Sequence, residues 1–189
     1  MQWRNTFSRY GFVASSLHWI IAAGIIAQYF LAEAAEETEH AANEVLSAAN
    51  IHMSLGMTLL ALAVIRIAWR LLEAPPESPT TMKGIEVTAA RAVHIAFYVL
   101  LFAIPISGWA LTTVEGESLR YFGLFDLPQL RIGAQLGTLD EEQLEEVHEV
   151  LFNILVILAA LHLAAALKHH FFDRDDVLRR MLPWTGRRT

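Results

Sequence analysis

Residues 147–172 read VHEVLFNILVILAALHLAAALKHHFF, and this stretch decides the class of fold. The eighteen residues from 150 to 167 carry no formal charge except a histidine that can become protonated. A stretch of this length can span the hydrocarbon layer of a bilayer as a helix. Ionisable residues at membrane depth are costly and usually have a function, so His148, His162 and His169 need an explanation.

The whole chain has the composition of a membrane protein. It has 189 residues, of which 54% are hydrophobic, and its mean hydropathy is +0.38. Soluble domains of this length are seldom so apolar. There is no cysteine, which excludes disulfides, thiolate metal sites and covalent haem attachment through a C-x-x-C-H motif.

Four long apolar segments organise the sequence: 12–32, 51–72, 92–114 and 147–172. Each has about 20 residues, roughly 30 Å as a helix. Pro105 is expected to kink the third. We therefore predict an all-α membrane protein, a four-helix transmembrane bundle that forms one domain over residues 1–189.

The basic residues predict the orientation of this bundle. Twelve lysines and arginines fall on one side of the four segments, and only Arg120 and Arg131 fall on the other. Because basic residues mark cytoplasmic loops, both termini should be cytoplasmic. Loops 33–50 and 115–146 should then face the periplasm, and the outer side, counted to residue 149, carries 14 acids.

The histidines in the spans fall at two depths. His52 and His148 open their spans near the outer face, whereas His18 and His94 lie toward the cytoplasm. His162 follows His148 by fourteen residues, which is about 21 Å of rise and within about 40° of the same helix face. His52 can therefore meet His148, and either His18 or His94 can meet His162.

Two pairs of facing imidazoles on different helices suit two haems with bis-histidine ligation. Without cysteine the haems would be of the non-covalent b type. Small residues near the histidines, such as Gly56 and Ala159, could leave a slot for the porphyrin.

Other chemistry has less support. A zinc hydrolase would show H-E-x-x-H, but the H-E at 148–149 has no second histidine four residues after the first. A proton-coupled transporter would usually carry an acid inside a span, and the first three spans have none. A haemless membrane protein, such as a metal transporter, stays a third hypothesis.

Several motifs carry a resemblance to a known family: SSLHWII, NIHMSLG, HIAFYVLLFAIPISGW, LHLAAALKHHFF and LRRMLP. Together they make the chain, over about residues 7–183, similar to the bacterial cytochrome b-561 family. The resemblance implies a multi-pass protein of the bacterial inner membrane with two b haems. It also implies that His18 and His162 ligate the inner haem iron and that His52 and His148 ligate the outer one, which leaves His94 as a non-ligand.

The function that the resemblance implies is electron transfer between a periplasmic donor and ubiquinone or another quinone. His94 and His169 are candidates for binding a quinone oxygen, and Arg66 for pairing with a haem propionate. Quinone and membrane lipid are expected partners, and no nucleic-acid partner is expected. The alternative function is that of a non-catalytic haem-bearing anchor that relays electrons for a larger dehydrogenase or hydrogenase.

The charge of the outer side and the family resemblance favour different electron donors. Some members of the family oxidise superoxide and reduce ubiquinone, so a quinone-linked oxidoreductase is one hypothesis and the enzymatic status stays open. An anionic substrate favours a positive entrance. The acidic outer side instead suits a cationic redox protein, unless Arg120 or Arg131 forms a local positive site.

Overall fold

The computed structural model describes residues 2–36, 47–116, 118–130 and 140–182. Its long helices are α1 (Phe12–Glu36), α2 (Ala48–Leu72), α3 (Gly84–Val114) and α4 (Glu141–Lys168). The smaller elements are a hairpin of β1 (Arg120–Tyr121) and β2 (Phe125–Asp126), a π-helix (His169–Asp173) and α5 (Val177–Arg180). The four long helices are each long and apolar enough to cross a membrane, which confirms the predicted transmembrane bundle.

Three helices begin earlier than the apolar segments predict, and α2 differs least, since it begins at Ala48 instead of residue 51. α3 begins at Gly84 instead of residue 92 and runs through Pro105 as one helix. α4 begins at Glu141, since Asp140 caps it: the Asp140 side chain accepts a hydrogen bond from Gln143 N, and the Gln143 side chain accepts one from Asp140 N. The prediction of a loop over 115–146 is therefore wrong for residues 141–146, which are the first turns of α4.

The packing of the bundle is that of a membrane protein. α1 packs on α2, α2 on α3, and α3 on α4. The buried core is small and centres on Ile21, Leu59, Ala63 and Leu101. Large apolar side chains face outward on all four helices, among them Ile26, Ile65, Val99 and Ile157. In the membrane these side chains contact lipid, so most of the apolar surface lies outside the bundle.

Three segments meet at one end of the bundle, which we call the inner end. The backbone N–H of Tyr10 donates to the Arg180 carbonyl (3.3 Å), and that of Glu77 donates to the Phe7 carbonyl (3.0 Å). The Trp19 indole donates to the Met181 carbonyl (2.9 Å). These bonds tie the N-terminal segment, the α2–α3 loop and the C-terminal segment together. The opposite end is the outer end, and the assignment of the inner end to the cytoplasm stays a prediction from charge.

Candidate functional site

One pair of histidines lies near the outer end. The rings of His52 on α2 and His148 on α4 face each other with their centroids 6.3 Å apart and their planes at 70°. Neither ring is fully exposed. The structure therefore brings together the two residues that the sequence predicts to meet at this level.

A second group of histidines lies toward the inner end. The ring centroids of His18 on α1 and His162 on α4 are also 6.3 Å apart. His94 on α3 is nearer, with its ring centroid 5.7 Å from that of His162. Phe97 packs edge-on against His162 at 5.4 Å. Both partners that the sequence leaves open for His162 are thus in contact distance, but at different separations.

The orientation of His148 is set by α3. Its Nδ1 lies 3.0 Å from the Ile104 carbonyl oxygen and 3.0 Å from Ser107 Oγ. Because a carbonyl can only accept, Nδ1 carries the proton and donates it to Ile104. Nε2 of the neutral ring then has a free lone pair, which is the tautomer that a metal-ligating histidine requires.

Gly108 allows α3 to come this close. A Cβ on Gly108 would lie 3.0 Å from Cε1 and 3.3 Å from Nδ1 of His148. Such contacts are tighter than ordinary packing, so any side chain here would displace the imidazole. The glycine is part of the geometry of the outer pair.

His52 has fewer hydrogen bonds to its ring than His148. Its Nδ1 is buried and has no hydrogen-bond partner among the described residues. Its carbonyl accepts a hydrogen bond from Gln28 Nε2 on α1 (3.1 Å). A Cβ on Gly56 would lie 3.2 Å from the same Nε2, so the Gln28 amide takes up part of the space predicted beside Gly56.

A polar cleft near the inner end contains Arg66. Arg66 Nη1 donates to the Ala14 carbonyl of α1 (3.0 Å), and Trp69 and Tyr98 line the same cleft. Trp69 Nε1 is buried without a hydrogen-bond acceptor in the described part of the chain. A buried N–H without a partner is costly, so Trp69 Nε1 is a candidate donor to an acceptor that the described residues do not supply.

His169 lies at the inner end in the π-helix and is buried. Its Nδ1 is 2.7 Å from Asp175 Oδ2 and 3.1 Å from Asp173 Oδ2. Lys168 Nζ is 2.8 Å from carboxylates of both Glu86 and Asp173. The ammonium group thus already pairs with Glu86 and Asp173, two of the three residues that with His169 are close enough to hold a metal ion.

Both outer and inner pairs fit the axial ligands of a haem iron. A metal–nitrogen bond of about 2.0–2.1 Å, with about 1.1 Å from nitrogen to ring centroid, would put the centroids of two imidazoles on opposite sides of one iron about 6.2–6.4 Å apart. His52 and His148 match this distance, as do His18 and His162. Two further features are compatible with b haems bound by the two histidine pairs: the tautomer of His148, and the Trp69 N–H that has no acceptor among the described residues.

Three residues of the candidate site are not predicted from the sequence. Ser107 and Gly108 lie in an apolar span, where small residues usually indicate helix packing. Trp69 lies near the end of a span, where Trp usually indicates the membrane interface. Their roles depend on what a neighbouring helix presents to them. Gly108 lies in the ISGW part of a motif that carries the family resemblance, which was the available signal.

Comparisons with known proteins agree with this geometry. The family profile described as prokaryotic cytochrome b561 matches residues 9–184. Cytochrome b561 homolog 2 of Escherichia coli (strain K12) is 35% identical over 184 residues, which are 96% of this chain and 95% of that protein. Cytochrome b561 homolog 1 of the same organism is 26% identical over 88% of this chain and 93% of its own. The probable superoxide oxidase CybB of Yersinia pestis is 33% identical over 70% of this chain and 73% of its own.

Proposed function

The chain belongs to the prokaryotic cytochrome b561 family, and on that basis we propose that it carries two b haems and transfers electrons between an outer-side donor and the quinone pool. Members of this family are haem-binding electron-transport proteins that cross the inner membrane several times. The observation that carries the proposal of two haems is the presence of histidine pairs at two levels with the same 6.3 Å separation.

The outer haem is proposed to be held by His52 and His148, and the inner one by His18 and His162. The separation of 6.3 Å between His18 and His162 equals that of the outer pair, whereas His94 is 5.7 Å from His162, and this likeness supports His18 as the inner ligand. His94 is then free for another role beside the inner haem.

When bound, the haems would supply electron transfer, because haem iron can alternate between its ferric and ferrous states. The residues of the chain would bind the haems and orient them. Ile104 and Ser107 hold His148 in the ligating tautomer. Trp69 and Arg66 are proposed to donate to a haem propionate in the inner cleft, where the Trp69 N–H otherwise has no acceptor among the described residues.

The quinone is proposed to bind near the inner end. His94 lies beside His162, and His169 follows His162 by seven residues, which is about two helical turns toward the inner end. Imidazoles can donate a hydrogen bond to a quinone oxygen and pass on a proton. Asp175 accepts from Nδ1 of His169 and orients the ring, so Nε2 could donate to a quinone oxygen only from the doubly protonated imidazole.

The donor is proposed to be a cationic redox protein. The exposure of the side chain is described for nine of the 14 outer-side acids, and all nine are exposed: Glu33, Glu115, Asp126, Asp140, Glu141, Glu142, Glu145, Glu146 and Glu149. Arg120 Nε lies 3.9 Å from Asp126 Oδ1, and this carboxylate offsets the positive charge that Arg120 would present to an anion. Arg131 lies outside the described residues. Superoxide is the competing donor, because one relative is named a probable superoxide oxidase.

A pyridine haemochrome assay on the purified protein tests the haem proposal. We expect two b haems per fully loaded chain, and one after replacement of any of His18, His52, His148 or His162 by alanine. His40→Ala is the control and should keep both haems. One haem per wild-type chain would contradict the proposal, and so would loss of a haem from His94→Ala but not from His18→Ala.

A further inference from the structure

A stripe of polar residues runs down one face of the apolar helix α2. Asn50, Ser54 and Thr58 are spaced four residues apart, so they lie above one another. Asn50 is 5% exposed and Ser54 is fully buried. The stripe lies opposite the haem-facing side, since Ser54 is two residues from His52 and thus about 200° around the helix.

The stripe binds the hairpin formed by β1 and β2. The Ser54 hydroxyl oxygen accepts from the Phe122 backbone N–H (2.8 Å), and Asn50 Nδ2 donates to the Arg120 carbonyl (2.9 Å). The Thr58 hydroxyl is 3.1 Å from the Tyr121 hydroxyl. These contacts hold the hairpin against the side of α2, although it belongs to the loop that follows α3.

The depth of these contacts follows from the length of α2. With 25 residues the helix is about 37 Å long, roughly 7 Å more than the hydrocarbon layer. Even if all the excess length lay at the outer end of an upright helix, Thr58 would be about 7 Å inside the hydrocarbon and Ser54 about 1 Å. The hairpin therefore reaches membrane depth.

The hairpin exposes an apolar surface at this depth. Phe122 is 36% exposed, Leu124 75% and Phe125 53%. Further along the same face of α2, Ile65 is 52% exposed where the helix crosses the membrane. The apolar surface of the hairpin is therefore continuous with the lipid-facing surface of the bundle.

We propose that the tip of this hairpin is embedded in the membrane leaflet at the outer end, where Phe122, Leu124 and Phe125 contact lipid acyl chains. Non-helical backbone is tolerated at membrane depth only when its polar groups have partners in the protein. Asn50 and Ser54 supply those partners for Arg120 and Phe122. The charged side chains of Arg120 and Asp126, which pair across the open end of the hairpin, lie toward the headgroups.

The absence of cysteine from the sequence makes the proposal testable with single-cysteine variants. The holoprotein would be placed in nanodiscs with one chain each, and Leu124→Cys treated with a membrane-impermeant maleimide. Glu142→Cys is the water-exposed control and Ile157→Cys the lipid-facing control, both on α4. We expect Leu124→Cys to react at least about tenfold more slowly than Glu142→Cys, because apolar surroundings disfavour the reactive thiolate.

A second measurement distinguishes whether lipid or protein protects Leu124→Cys from the maleimide. A bimane attached to Leu124→Cys should be quenched by brominated acyl chains to the same degree as one on Ile157→Cys. Reaction with the maleimide as fast as that of Glu142→Cys would overturn the proposal, and so would protection without quenching by brominated lipid. Haem content per chain would verify that each variant is folded.

Replacement of Ser54 tests the part assigned to the stripe. Ser54→Ala leaves the Phe122 N–H without its acceptor, so we expect the hairpin to leave the bilayer and Leu124→Cys to react severalfold faster. Ser78→Ala, in the exposed α2–α3 loop, is the matched control and should change nothing. Unchanged protection in the Ser54→Ala background would show that the stripe does not hold the hairpin in the membrane.

Discussion

At the scale of residues, Gly108 shows how closely a neighbouring helix approaches a proposed haem ligand. A Cβ there would lie 3.0 Å from Cε1 of His148, so Gly108→Ala must shift the imidazole or separate the helices. Overpacking of this kind costs about 1–3 kcal/mol. We expect Gly108→Ala to lose the outer haem partly or to change its low-spin ferric EPR signal, with the inner haem unaffected.

Gly84 is the matched control for this substitution. It lies on the same helix, but a Cβ there would meet no atom within 4 Å. Gly84→Ala should therefore leave both haem signals as in the wild type. Identical spectra for Gly108→Ala and Gly84→Ala would show that Gly108 is not needed for the orientation of His148.

His94 offers a second test at this scale. Because it is assigned beside the inner haem and not to the iron, His94→Ala should retain two haems per chain. We expect slower reduction of quinone once the haems have been reduced, measured by stopped flow with a soluble ubiquinone analogue. Quinone reduction at the wild-type rate would exclude the role of His94 in quinone binding and leave the haem assignment unchanged.

At the scale of elements, the cap of α4 supports the outer ligand. The Asp140 side chain accepts from Gln143 N (3.0 Å) and begins the helix two turns before His148. Loss of an N-cap costs about 1 kcal/mol. Asp140→Ala should therefore lower the midpoint of thermal haem loss, followed at the Soret band, by about 2–4 °C for a chain of this size.

Asp140→Asn separates capping from charge. Asparagine caps helices about as well as aspartate, so this variant should keep the wild-type midpoint although it loses the charge. An equal decrease for both variants would mean that the negative charge at the start of α4 matters and the capping hydrogen bond does not.

At the scale of the whole molecule, the acidic outer face should control the rate of encounter with the donor. Its exposed acids attract cations at low salt, and salt screens the attraction over a Debye length of about 10 Å near 0.1 M. We expect reduction of the haems by a basic redox protein to slow as ionic strength rises. Reduction by superoxide should be unchanged or faster under the same stopped-flow conditions.

A triple variant, Glu141→Gln with Glu142→Gln and Glu145→Gln, should flatten the salt dependence for the basic donor. Asp176→Asn at the inner end is the control and should leave it unchanged. A superoxide rate near the diffusion limit that falls steeply with salt would instead show that a local positive entrance outweighs the charge of the whole face.

Local pattern was sufficient to predict the architecture and the level of each histidine. Four apolar segments of about 20 residues determine four spanning helices, because a single segment that faces lipid can satisfy its own backbone polar groups only as a helix. The regular rise of a helix then places His148 and His162 at two depths on nearly the same face. The starts of α3 and α4 were predicted too late, since hydropathy does not register a capped polar turn that continues an apolar helix.

Only the tertiary structure decided what depends on distances between helices. Depth alone left His18 and His94 equivalent, and the structure brings both rings near His162, at 6.3 and 5.7 Å; the proposal of His18 as the ligand rests on the difference between these separations. The contact of α3 with His148 and the position of the hairpin beside Ser54 likewise join residues 41 and 68 positions apart in the chain. Such contacts result from the packing of whole helices and the path of a loop, which no local periodicity encodes.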